Sequence, residues 1–184
     1  GRRFVRFMAK DSVFRHPAAG PLMRGMKHIP VDRHDGSVAF ETAVAAARAG
    51  ELIGVFPEAT MSRSLEIKEL KNGAVRMACE AEVPLIPMIV FGGHRVLSYD
   101  VRDFTRGRTI CMTIGRPMTI NDDVDEMTHA LRSTLSELLD ETIQRYPDKP
   151  PGAPWIPKRH GGSAPSLEEA ARIEEQRRAA REST

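Results

Sequence analysis

At 184 residues, 41% of them hydrophobic, the chain can bury the core of one domain with a modest appendage. Its formal charge of +2, from 27 Lys and Arg against 25 Asp and Glu, excludes nucleic-acid binding through bulk phosphate neutralisation, so any anion site must be local. Cys79 and Cys111 lie far apart in apolar runs with no His or Cys at ligand spacing, which argues against a metal site or a disulfide framework and reads as two reduced core thiols.

Phe4 to Ala9 is a short β-prone run, and Asp11 or Ser12 can cap a helical segment that Pro17 and Gly20-Pro21 interrupt. His28-Ile29-Pro30-Val31-Asp32-Arg33 is a brief strand-like piece ending in charge. Ser37 caps an Ala-rich helix over Val38 to Ala49, which Gly50 closes at C′. Leu52 to Phe56 is a continuous apolar run stopped by Pro57, the pattern of a strand buried on both faces. Lys71 to Glu82 reads as a second helix with Ala74, Met77, Ala78 and Ala81 on one face, and Pro84 to Phe91 as another buried strand ended by Gly92-Gly93. A loop or hairpin from His94 to Gly107 leads to a further strand, Arg108 to Ile114. Asn121 or Asp122 then caps a long amphipathic helix through about Tyr146, whose stripe of Met127, Leu131, Leu135, Leu138, Leu139 and Ile143 should pack on the sheet.

Strands alternating with helices at this spacing predict an α/β layered domain over residues 1–146, with a mostly parallel, mixed central sheet flanked by helices. From Pro147 to Pro165 the composition shifts to Pro and Gly, and Ser166 begins a highly charged helical tail, so residues 147–184 read as a linker and tail. Trp155-Ile156 is the tail's one strong apolar anchor, suited either to packing back on the domain or to a lipid interface. No apolar stretch reaches the ~18 residues of a membrane-spanning helix, and no signal-peptide pattern is present. The chain begins at Gly1 without Met and runs at once into an apolar stretch, from which we expect a further N-terminal segment.

The chemistry concentrates where the Leu52–Phe56 strand emerges. Phe56-Pro57-Glu58-Ala59-Thr60-Met61-Ser62-Arg63-Ser64 gathers a carboxylate, three hydroxyls and a guanidinium at a strand end, the usual place of ligand-handling loops in open α/β sheets. Glu58, Thr60 and Ser62 can bind a polyol while Arg63 contacts a phosphate in bidentate fashion; the alternative is an ordinary capped turn. Arg33 follows another strand beside Asp32, and Lys71-Asn72-Gly73 opens a helix whose N–H groups favour an anion. Arg33, Arg63, Lys71 and the helix end at Gly73 could therefore converge on one phosphomonoester.

Val31-Asp32-Arg33, Phe56-Pro57-Glu58-Ala59-Thr60, Leu70-Lys71-Asn72-Gly73-Ala74 and Val83-Pro84-Leu85-Ile86-Pro87, in this order, resemble the block series of the lysophosphatidate and glycerol-3-phosphate acyltransferase family, over about residues 4 to 120. The resemblance implies transfer of a fatty acyl group from acyl-CoA or acyl carrier protein to a hydroxyl of lysophosphatidate or glycerol 3-phosphate in phospholipid biosynthesis. It implies a location at a membrane surface on the cytoplasmic side, and no metal, redox cofactor or nucleic acid. In that family the general base is the His of an upstream His-x-x-x-x-Asp motif, with the Asp orienting the imidazole. None of His16, His28, His34, His94, His129 and His160 has Asp five positions later, so no catalytic residue is assigned in this chain. His28 to Asp32 is one residue short and His94 to Asp100 one too long.

Two positions depart from the family pattern, which usually has Gly and Arg where this chain has Ala59 and Met61. Loss of that Arg removes an expected phosphate contact, for which Arg63 can substitute. Pro84 and Pro87 read as structural, shaping a strand edge and the acyl channel. The rival reading is a non-catalytic lipid- or acyl-carrier-binding module that lacks the His/Asp motif. A hydrolase on a similar sheet would need a Gly-x-Ser-x-Gly elbow, and the sequence contains none.

Overall fold

The alternation of strands and helices is realised in a computed structural model that describes residues 3–32, 35–58, 60–99 and 101–182. Elements follow in the order β1 (Val5–Lys10), α1 (Asp11–Arg15), α2 (Ala19–Gly25), β2 (Ile29–Val31), α3 (Ser37–Arg48), β3 (Leu52–Gly54), α4 (Gly73–Ala81), β4 (Met88–Phe91), β5 (Cys111–Ile114), α5 (Val124–Arg145) and α6 (Leu167–Glu182). The fold is α/β, with parallel pairing in a three-stranded sheet, antiparallel pairing between β4 and β5, flanking helices and a C-terminal helix. Two units divide the chain: residues 1–57, 71–85 and 118–128 form one, and residues 58–70, 86–117 and 129–184 the other.

In the first unit β1 lies between β2 and β3 and runs parallel to both, with Met8 opposite Ile29 and Val5 opposite Leu52. Parallel neighbours require crossovers, and helices α1 and α2 provide one while α3 provides the other. Small side chains make the helix packing close: Ala39, Ala43 and Ala47 of α3 share a core with Met77 and Ala81 of α4, Ile29 of β2, and the flanking Met8, Val31 and Ile53. The N-cap position of α3 is Gly36, which offers no side chain, and not Ser37 as the sequence suggested; just before it, Asp35 Oδ1 accepts the Ser37 N–H at 2.9 Å. Gly50 closes the helix as expected, at φ +80°, with its N–H donating to Ala47 O and that of Glu51 to Ala46 O.

The expectation that Leu52 to Phe56 is buried on both faces is overturned. Pairing ends at Gly54, β3 is an edge strand of its sheet, and Phe56 is 74% exposed, stacked on the Phe7 ring at 5.6 Å. A continuous apolar run does not by itself distinguish a central strand from an edge.

In the second unit β4 and β5 pair with Met88 opposite Ile114 and Val90 opposite Met112. Here too the expected two-sided burial gives way to alternation: Ile89 and Phe91 turn inward, while Met88 and Val90, like Met112 and Ile114, lie on the exposed face. The inner face meets α5, where the Phe91 ring packs edge-on against Tyr146 at 5.0 Å and the Thr113 and Thr142 hydroxyls meet at 2.7 Å. Leu131, Leu135, Leu139 and Ile143 are buried in the predicted stripe, extended by Thr142 and Tyr146. Cys79 and Cys111 are free thiols and only half-buried, so neither is a full core residue.

Trp155-Ile156 packs back on the protein. Ile156 is 1% exposed, and the Trp155 ring lies 4.1 Å beneath the Arg95 guanidinium while its Nε1–H donates to Asp148 O. Ser166 and Glu169 exchange the two hydrogen bonds of a capping box at the start of α6. Among the described residues no helix is long and apolar enough to cross a membrane.

Candidate functional site

The polar loop leaves β3 through Pro57 and returns at Lys71, whose backbone N–H donates to Pro57 O at 2.8 Å. That single bond ties the end of one element to the approach of α4, which begins at Gly73. The Lys71 side chain is exposed there, and the Asn72 cap position makes no side-chain cap bond, so the first N–H groups of α4 are not capped by Asn72. Arg33 lies outside the described residues.

Within the loop, Glu58 and Thr60 are joined through one residue. The backbone N–H of Lys68 donates to Glu58 Oε2 at 3.0 Å, and Lys68 Nζ donates to Thr60 Oγ1 at 2.8 Å. Burial pushes the Glu58 carboxyl above its usual value, against the opposing pull of the Lys68 N–H and ammonium. A carboxylate kept partly desolvated at a loop of hydroxyls and cations is the kind of perturbed group that gathers at functional sites.

Ser62 has a different role from the one its position suggested. Its hydroxyl donates to Glu66 O at 2.8 Å and meets the fully buried Ser64 hydroxyl at 2.9 Å, and Ser64 Oγ in turn accepts the Glu66 N–H. These bonds fold the stretch around Leu65, which sits at φ +60°. Arg63 lies over the Tyr99 ring, 4.3 Å from its centroid, which orients the guanidinium plane. Glu58, Thr60 and Lys68 thus form one connected group, Ser62 serves the loop's own fold, and Arg63 stands against an aromatic face.

Lys68 is the residue that sequence reasoning missed. It stands outside the four recognisable blocks, and its importance comes from the way the loop folds back on Glu58 across ten positions, which no periodicity encodes. Two histidines considered and set aside have backbone partners: His28 Nδ1 accepts the Phe7 N–H, and His94 Nε2 lies 3.1 Å from Trp155 O.

Residues 1–91 match the family model described as Acyltransferase. The chain is 27% identical over 146 residues to the 1-acyl-sn-glycerol-3-phosphate acyltransferase of Bacillus subtilis, covering 79% of this chain and 70% of that protein. It is 31% identical over 120 residues to the enzyme of the same name from Limnanthes douglasii, covering 63% of this chain and 42% of that protein. The crystal structure of the 1-acyl-sn-glycerophosphate (LPA) acyltransferase PlsC from Thermotoga maritima shares the fold, with a TM-score of 0.65 and 19% identity over 77% of this chain and 58% of that one.

Proposed function

We propose that the chain is the acceptor-binding part of an O-acyltransferase that moves a fatty acyl group from acyl-CoA or acyl carrier protein to a hydroxyl of lysophosphatidate or glycerol 3-phosphate in phospholipid biosynthesis. The observation that carries this reading is a family-matched domain in which the Glu58 carboxylate is drawn out of solvent and linked to Thr60 through Lys68. Residues 1–146 carry the acyltransfer domain and residues 147–184 its appendage. Arg33, Arg63, Lys71 and the N–H groups that begin at Gly73 hold the acceptor phosphate, since guanidinium, ammonium and helix-start N–H groups all favour a phosphate oxygen. Glu58 and Thr60 position the glycerol backbone, and Ser62 keeps the loop in shape for them.

In this scheme the general base is the His of a His-x-x-x-x-Asp motif N-terminal to Gly1. It removes the proton from the acceptor hydroxyl, the oxygen attacks the thioester carbonyl, and the tetrahedral intermediate collapses with cleavage of the C–S bond. The imidazolium returns the proton to the departing thiolate, so the products are an ester and a free thiol. No metal or redox cofactor enters this scheme. The lipid nature of the acceptor argues for work at a membrane surface, on its cytoplasmic face.

An acyl-transfer assay on the full-length protein, offering glycerol 3-phosphate and lysophosphatidate in parallel with acyl-CoA and acyl carrier protein donors, tests the reading. Ester formation with one acceptor supports it. Acceptor binding without ester formation under every donor would favour the non-catalytic module instead.

A further inference from the structure

Lys68 joins several parts of the loop. Besides its bonds to Glu58 and Thr60, its ammonium lies 3.4 Å from both carboxylate oxygens of Glu174 on α6, and its carbonyl accepts from Arg132 Nε at 3.1 Å. Arg132 also pairs with Glu69 at 3.2 Å, so Lys68 is held from α5 through its backbone and from α6 through its side chain. The Lys68 side chain is only 20% exposed, far from the free sweep of a surface lysine.

We propose that Lys68 is a positioning residue of the acceptor loop and that Glu174 fixes its ammonium, so that the C-terminal helix sets acceptor affinity without touching the acceptor. The inference rests on the reading of this loop as the acceptor site. Three features argue for it. A lysine carries large rotamer freedom, and an ion pair at its tip restricts the ammonium to the region where Thr60 can be reached. An ammonium can only donate, so the bond from Lys68 makes the Thr60 hydroxyl the acceptor and leaves its own hydrogen to donate to a ligand oxygen. The same residue holds Glu58 through its backbone, so a displacement of Lys68 moves both groups together.

The test uses the full-length protein, with lysophosphatidate KM, acyl-donor KM and kcat measured together, and calorimetric titration of glycerol 3-phosphate as a readout independent of turnover. Lys68→Met should raise the acceptor KM and weaken the titration by about tenfold, the scale of one lost charge-assisted hydrogen bond, with donor KM unchanged. Glu174→Gln should give a smaller loss of the same kind, roughly threefold, and Lys68→Arg should restore part of the affinity. In the Lys68→Met background Glu174→Gln should have no further effect, since both act through one contact. The proposal is overturned if the two losses multiply as independent sites, or if Lys68→Met raises donor and acceptor KM alike while lowering the unfolding temperature. Arg63→Ala and Glu58→Gln run beside them as controls. If these leave acceptor affinity untouched, the loop reading fails and takes the proposal with it. If they weaken acceptor binding while Lys68→Met does not, the positioning role alone falls.

Discussion

The Arg95 guanidinium lies 4.1 Å above the Trp155 ring, and its Nη1 donates both to the Tyr146 hydroxyl at 3.1 Å and to Asp148 at 2.5 Å. A cation in the interior of the second unit is thereby held between an aromatic face, a phenol and a carboxylate, and the Pro/Gly-rich segment is pinned at Trp155. Trp155→Ala should destabilise the protein by about 2–3 kcal/mol through lost packing and a stripped cation–π face. Urea unfolding followed by far-ultraviolet circular dichroism measures this, and Trp155→Phe should recover part of the loss.

His94 couples that same cluster to pH. Burial, with a smaller contribution from the neighbouring Arg95 charge, holds its imidazole below its usual 6.5, against the opposing bond to Trp155 O. A group whose folded pKa is depressed contributes stability that is present above its unfolded value and lost as pH falls through the folded one. The wild type should therefore lose stability between about pH 7 and pH 5, and His94→Gln should flatten that part of the profile. An identical slope in both proteins would assign the acid lability elsewhere.

Glu58 works in the opposite direction. Its carboxyl is raised above the usual 4.5 by burial, so its contribution to stability is complete below that value and is lost as pH rises through the folded pKa. Relative to wild type, Glu58→Gln should gain stability on going from about pH 4 to pH 7 while weakening acceptor binding. Parallel unfolding curves at the two pH values check the first effect and acceptor titration the second.

Gly92 is fixed by both conformation and space. It sits at φ +103°, and a Cβ there would lie 2.4 Å from Thr109 O and 3.1 Å from the Tyr146 hydroxyl. Gly92→Ala should cost about 2–4 kcal/mol, since backbone strain and a clash with backbone oxygen add. A thermal midpoint within a degree or two of wild type would show that the β4 exit relaxes around the methyl group.

Arg33→Ala should weaken acceptor binding by ~1.5–3 kcal/mol, the loss of a charge-assisted hydrogen bond to phosphate. An unchanged acceptor KM and turnover would remove Arg33 from the site.

The helices were the legible part of this fold. Alanines at 39, 43 and 47 and the leucines of α5 repeat at helical spacing, and the structure buries them in that pattern. Strand burial was not legible, because Leu52 to Phe56 and Met88 to Phe91 read as unbroken apolar runs whether their partners number one or two. The loop's composition marked Glu58, Thr60, Ser62 and Arg63, but whether a hydroxyl serves a ligand or its own backbone depends on tertiary placement. Lys68 and Glu174 lie 106 positions apart, and nothing local in the sequence links a loop lysine to a glutamate in a charged helix.

The outer side of the β4–β5 ribbon has a practical consequence. Val90, Met112 and Ile114 are 49%, 59% and 63% exposed, aligned by register into one oily strip on strands with few neighbours. Bare strips of this kind make molecules adhere, so concentrated preparations of these 184 residues should clump in plain buffer and stay dispersed in mild detergent. A lysine placed at Val90 should cure the stickiness while leaving the inward-facing Phe91 undisturbed.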